Sequence, residues 1–148
     1  MHNSAEDPFR ILLIEDNPGD ARLAQEALRD SSTRTELTVV ADGIEALHYL
    51  RSQNGYRYRP RPHLILIDLN LPGKKGDEIL QEIKSDPDLQ RTPVIVLTTS
   101  TSQHDVRASY DNHANCYIIK PIELPRFAEV LRQIESFWFT VVTLPNGD

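Results

Sequence analysis

The sequence predicts an α/β fold, a doubly wound five-stranded parallel sheet with five helices and a short C-terminal extension. Three observations predict it. Short runs of Val, Ile and Leu alternate with amphipathic segments along the chain. The first, third and fourth runs are almost continuously apolar, as strands covered on both faces must be. The intervening segments carry helix-start signals, and strands that alternate with helices pack as a parallel sheet with right-handed crossovers.

The strand candidates are residues 10–15, 36–41, 63–68, 93–98 and 116–119. Asn17 is placed to cap the first helix, with Pro18 at the first helical position, where its missing N–H costs nothing. Ala21, Ala24 and Leu28 then share one side of that helix. Asp42 and Glu45 have capping-box spacing ahead of Ile44, Leu47 and Leu50. Residues 77–84 carry Ile79, Leu80 and Ile83, and Ser102 and Asp105 repeat the cap pattern before Val106 and Tyr110. Leu124, Phe127, Leu131, Ile134 and Trp138 recur at helical spacing in the last helix. Residues 53–62, rich in Arg, Pro and Tyr, read as a long loop before the third strand.

A chain of 148 residues fits one domain with a proper core. Its 39% hydrophobic and 26% charged residues are ordinary for a soluble globular protein. A net charge of -6 lacks the basic stripe of a nucleic-acid binder. Arg57, Arg59 and Arg61 could form a local basic patch, although a solvated loop is the simpler reading. The single Cys116 excludes an internal disulfide, suits a reducing compartment and is expected to be a buried structural thiol. No apolar signal segment precedes residue 8, and no run approaches the ~20 apolar residues of a membrane span. The expected location is cytoplasmic, with no membrane and no nucleic acid as partner.

In an open α/β sheet, ligands collect beyond the carboxyl ends of the strands, where the strand order switches. The residues at those ends are Glu15 and Asp16, Asp68, Thr98 and Thr99, and Lys120. Asp68 is a candidate nucleophile, because an aspartate carboxylate can form an acyl phosphate. Asp16, Asp68 and the backbone carbonyl of Asn70 would offer three oxygens to Mg²⁺, with Glu15 assisting through water. Lys120 would pair with Asp68 at rest and with a phosphoryl oxygen afterwards, and Thr98 would donate to the same group. Taken singly, each has an ordinary explanation: a helix cap, a surface lysine, a strand threonine. The joint placement of acids, hydroxyls and base at one edge favours the chemical reading.

Four motifs, in this order and spacing, resemble the receiver domain of two-component response regulators over residues 10–137. They are Glu15-Asp16, the Asp68 to Gly76 stretch DLNLPGKKG, PVIVLTT from Pro93 to Thr99, and YIIKP from Tyr117 to Pro121. The resemblance implies the flavodoxin-like receiver fold, a cis peptide at Lys120–Pro121, and a protein that is not a conventional enzyme but catalyses its own phosphorylation and dephosphorylation. Asp68 would accept the phosphoryl group, and Glu15 and Asp16 would serve the metal. Thr98 and Tyr117 would be the switch pair, and Lys120 the phosphoryl-binding base. A sensor histidine kinase would be the donor, with Mg²⁺ as cofactor and the surface of the fourth helix, fifth strand and fifth helix as the output.

Two departures stand out. Thr99 is larger than the residue the family commonly carries there, which should narrow access to the phosphoryl group. His113 takes a place after the fourth helix where glycine is usual, in a backbone region that His tolerates better than most residues.

Residues 1–9 read as an N-terminal tail and 138–148 as a C-terminal extension, so a stand-alone receiver is expected. Val130, Phe137, Trp138 and Phe139 are read as an apolar interface for a homodimer, against the alternative of a tail folded back on its own core. The tail, the long loop and the single-domain layout are similar to phytochrome-associated response regulators of cyanobacteria, which implies a light-sensing kinase. A phosphorylation-independent interaction module would show a damaged site, and every expected group is present. Asn70, two residues after Asp68, argues against an aspartyl-phosphate phosphatase, and the acids after the first strand argue against a flavodoxin-type phosphate loop. The five histidines show no ligand spacing.

Overall fold

A computed structural model describes residues 8–29, 34–53, 55–56 and 59–145. Five strands, β1 (Phe9–Ile14), β2 (Thr35–Val40), β3 (Leu64–Ile67), β4 (Val94–Thr98) and β5 (Cys116–Ile119), form one parallel sheet in the order β2-β1-β3-β4-β5. Five helices connect and follow them: α1 (Pro18–Arg29), α2 (Gly43–Leu50), α3 (Gly76–Ser85), α4 (Gln103–Asp111) and α5 (Leu124–Ser136). The chain adds β2 on one side of β1 and β3 on the other, so the switch in strand order lies between β1 and β3.

Strand periodicity divides the core into two layers. Leu12, Ile14, Ile65, Ile67, Val94 and Val96 face the layer that holds Leu47, Ile79 and Ile83. Ile11, Leu13, Leu64, Leu66, Ile95 and Leu97 face Ala24, Leu28, Phe127 and Leu131. Complete burial of such aliphatic side chains is worth about 1.5–3 kcal/mol each, which is why β1, β3 and β4 are apolar apart from Arg10 near the start of β1 and Thr98 at the end of β4.

The caps follow the sequence reading in part. Asn17 Oδ1 accepts the N–H of Asp20 at 3.0 Å, and Asp42 Oδ1 accepts that of Glu45 at 2.8 Å. Glu45 does not complete a capping box, because its carboxylate faces His48 at 3.2 Å and the Tyr56 hydroxyl at 3.4 Å. Ser102 caps α4 through the Asp105 N–H, while the Asp105 side chain accepts from Ser100 Oγ at 2.6 Å.

Several expected core positions lie outside. Ile44 is 52% exposed, Tyr110 48% and Leu124 61%, because each stands in or near the rim of a helix face narrower than the apolar pattern suggests. Cys116 is half-buried against the α1/α5 layer, and burial pushes its thiol above the usual range, in keeping with a structural role. Phe9, assigned above to the tail, is the fully buried first residue of β1. Residues 1–7 and 146–148 lie outside the described residues.

The C-terminal segment also differs from expectation. α5 runs directly into a π-helical turn, Phe137–Val141. Phe139 packs on Phe9 with ring centroids 5.3 Å apart, and Leu144 is buried in the α1/α5 layer. Val130, read as part of an exposed seam, is buried in that same layer; of the large hydrophobic side chains described in the segment, Phe137 (51%) and Val141 (67%) are the exposed ones. The open end of the α1/α5 core would otherwise expose Phe9, so the segment covers it.

Lys120–Pro121 was expected to be cis, but among the described residues every peptide bond is trans. An X–Pro bond still favours trans by about 0.5–1 kcal/mol, and here the Lys120 N–H donates to the Thr98 carbonyl at 2.7 Å in the trans chain.

α4 ends on His113 at φ 69, inside the left-handed region. The His113 and Ala114 N–H groups donate to Tyr110 and Ser109 carbonyls at 2.9 and 3.0 Å, a complete Schellman closure that needs this backbone. An L-residue there costs ~1–2 kcal/mol, against the ~0.5–1 kcal/mol that glycine loses in conformational freedom. His113→Gly should therefore raise unfolding stability by about 0.5–1 kcal/mol, read as a higher urea midpoint at unchanged slope.

Candidate functional site

Each strand end contributes one part of the site. β1 delivers Glu15, and its carboxylate accepts the Asn17 N–H at 3.0 Å as the chain turns into α1. β3 delivers Asp68, whose Oδ1 accepts the Asn70 N–H at 3.0 Å. β4 ends in Thr98, which is fully buried, and β5 is followed by Lys120.

Lys120 Nζ is the centre of the cluster. It donates to Glu15 Oε1 at 2.5 Å, Asp68 Oδ2 at 2.8 Å and Asp20 Oδ2 at 2.9 Å. Glu15 is 3% exposed, Asp68 7% and Lys120 7%. A buried charge is costly unless paired and hydrogen-bonded, and here one ammonium uses three donors on three carboxylates.

The titrations reflect that geometry. Burial alone would lower the Lys120 pKa, but the bonds from Asp68, Glu15 and Asp20 raise it well above the ordinary lysine value. Burial pushes the Asp68 carboxyl up; the Asn70 N–H, Lys120 and the Thr98 hydroxyl together outweigh it and hold the group below the usual range. Glu15 goes the other way: burial dominates over Lys120 and the Asn17 N–H, and its carboxyl is raised.

α3 fixes the loop after Asp68 by close approach. A Cβ on Gly76 would lie 2.2 Å from the Asp68 carbonyl oxygen and 2.6 Å from the Leu69 Cα, so no side chain fits. The Gly76 N–H donates to the Leu69 carbonyl at 3.1 Å. The DLNLPGKKG segment is thus a turn folded under the start of α3, with Gly73 at φ 67.

Of the sequence-predicted residues, the structure gathers Glu15, Asp68, Thr98 and Lys120 at one point. Asp16, Asn70 and Thr99 lie exposed at the mouth. Tyr117 is half-buried, and its hydroxyl donates to the Ser100 carbonyl at 2.9 Å. Asp20 is the residue that sequence reasoning missed. Its carboxylate was visible in the first turn of α1, but only the fold shows that this turn sits over Lys120.

The acids, hydroxyl and base gathered at this edge fit the receiver pattern of the sequence. Residues 11–132 match the response regulator receiver domain. The chain belongs to the response regulator receiver domain family. This receiver is 49% identical over 145 residues to response regulator Rcp1 of Synechocystis sp. (strain ATCC 27184 / PCC 6803 / Kazusa), covering 98% of this chain and 99% of that protein. It superposes on the phosphorylated cyanobacterial phytochrome response regulator RcpA with TM-score 0.92 at 49% identity, covering 95% and 100% of the two chains. Against Mn(2+)-bound Rcp1 the TM-score is 0.89 at 50% identity, covering 94% and 100%. The receiver is thus a signalling protein rather than a conventional enzyme, and no described helix is long and apolar enough to cross a membrane.

The donor set suits a hard divalent cation. Glu15, Asp16, Asp20 and Asp68 bring four carboxylates to this edge against the single Lys120 ammonium, a formal surplus of three negative charges. Among the described residues no three His, Cys, Asp or Glu side chains form a metal-binding group. Mg²⁺ does not need such a cage, since it keeps several waters and typically takes one or two carboxylates.

The raised Glu15 carboxyl sets a sign. Below the unfolded carboxylate range Glu15 is protonated in both states; above its folded value it is ionised and buried, and stability is lost. Glu15→Gln should therefore raise the thermal midpoint of metal-free protein at pH 7. That gain should vanish at pH below the usual carboxylate range, measured by calorimetry across pH.

Proposed function

We propose that this receiver accepts a phosphoryl group on Asp68 from a phosphohistidine of a sensor histidine kinase. The carrying observation is the Lys120 ammonium held on Asp68 and Glu15, with Thr98 beside the same carboxylate. Similarity to Rcp1 and to RcpA over almost the whole chain supports a phytochrome-type, light-sensing kinase as the partner.

Asp68 is ionised at neutral pH because its neighbours hold its carboxyl low, so it is ready to attack in line. Asp16, Asp68 and the Asn70 carbonyl would hold Mg²⁺, with Glu15 through water. The bound cation supplies charge neutralisation for the transferring group. Lys120 has its ammonium at Asp68 Oδ2 and would turn to a phosphoryl oxygen once that carboxylate has taken the group as an acyl phosphate, the P–N bond breaking and the donor imidazole leaving. The Thr98 hydroxyl donates to the same group.

Readout would pass through the loop between β4 and α4. The Ser100 N–H lies 3.5 Å from Thr98 Oγ1, and the Ser100 carbonyl accepts the Tyr117 hydroxyl. A pull on Thr98 therefore reaches Tyr117 through one residue. α4 suits a movable element: its only buried residue is Ser109, whose hydroxyl has no partner among the described residues. Phosphorylation would shift the population of α4-β5-α5 packings, and the exposed Tyr110, Ile119 and Ile122 lie on that face. A homodimer would use Phe137 and Val141, since Val130, Trp138 and Phe139 already pack in the chain's own core.

Intact mass after incubation with acetyl phosphate and Mg²⁺ tests the proposal. Wild type should gain one Mg²⁺-dependent phosphoryl adduct that Asp68→Asn lacks; an adduct of equal yield in the variant would sink it. Thr99 is exposed at the mouth, and Thr99→Ala should widen access and speed both labelling and loss of the adduct. Equal rates in a quenched time course would refute that role.

A further inference from the structure

The edge of the sheet opposite Asp68 holds a cavity of about 360 Å³. Arg10 enters it from β1, His63 from just before β3, and Thr92 and Pro93 from just before β4. In a parallel sheet these are the N-terminal ends of the strands, so the cavity is separate from the phosphoacceptor site.

Its charge is opposite to that of the chain. Arg10, Arg61 and Arg91 face it with one carboxylate, Asp88, a formal balance of three minus one in a protein of net charge -6. Among the described residues, none of these three arginines lies within salt-bridge distance of a carboxylate. Two are nonetheless fixed. Arg10 Nε donates to the Arg61 carbonyl at 3.0 Å, and Arg61 Nη1 donates to the Asp88 carbonyl at 2.5 Å. Each spends one N–H on the backbone and keeps the other donors of its fork. The Arg10 N–H donates to His63 Nδ1 at 2.9 Å, which sets the proton of the neutral ring on Nε2. Pro60, Pro62 and Pro93 give rigid apolar walls, and Leu144 of the C-terminal segment closes one side.

We propose that this cavity binds a small organic phosphate monoester. The surplus of two positive charges matches a dianion, and guanidinium forks bind phosphate oxygens in pairs. The volume lies within the range of small-ligand sites and leaves room for an organic body against the prolines. The basic loop residue Arg61, which on sequence alone reads as solvated, here has a partner to wait for.

The test is a titration of the ¹⁵N-labelled full chain with ribose 5-phosphate, following backbone amide shifts at low salt. Saturable shifts at Arg10, His63 and Thr92 are expected, while amides around Asp68 and Lys120 stay in place. Arg61→Ala and Arg91→Ala should each weaken binding by about tenfold or more, with the amide spectrum elsewhere reporting an intact fold. Arg91 is exposed, so its variant separates ligand binding from stability. Absence of saturable shifts, equal affinity in both variants, shifts centred on Asp68, or equal affinity for succinate would each overturn the proposal.

Discussion

The ammonium of Lys120 is the constraint around which the carboxyl edge of the sheet is organised. Glu15, Asp20 and Asp68 come from three separate parts of the chain, and without a cation between them their mutual repulsion in a poorly hydrated site would push them apart. The three hydrogen bonds fix where the lysine head must be, and so fix the exit of β5. The Lys120 N–H bond to Thr98 then ties that exit to the end of β4. One ammonium cannot neutralise four acids, and the remaining negative charge is what makes a divalent ion welcome there.

The two ends of the sheet have opposite electrostatic characters. At the carboxyl end, strand termini gather acids; at the amino end they gather arginines that, among the described residues, form no salt bridge. Parallel strands allow this division, since every strand presents its start to one edge and its finish to the other. The helices differ in the same functional sense. α3 is anchored by three buried aliphatic residues and by Gly76 pressed on the Asp68 backbone, which keeps the acceptor loop rigid. α4 is held by a single buried residue, the polar Ser109.

Much of this was legible in the sequence because its signals are local. Continuous Val/Ile/Leu runs made β1, β3 and β4 plain, and the motif spacing placed Glu15, Asp68, Thr98 and Lys120 at strand ends. β2 lies at an edge and is only half-buried, so its pattern is weaker and its limits shifted by one residue. Ile44, Tyr110 and Leu124 were read as core because helical periodicity gives a direction but not a width. Val130 was read as exposed because the sequence does not state how broad a face α5 shares with α1. The C-terminal segment was read as reaching outward, since apolar content alone does not say which surface it covers.

The sequence by itself determined the order of strands and helices and the residue types at each strand end. These depend on periodicity, capping chemistry and short-range sterics. Only the tertiary structure decided that Asp20 shares Lys120 with Glu15 and Asp68, that Phe139 and Leu144 cover Phe9, and that Arg10, Arg61 and Arg91 meet in one cavity. Each of those contacts joins residues far apart along the chain. Their meeting is set by the crossover of helices over the sheet, and no local preference in the sequence encodes that distance.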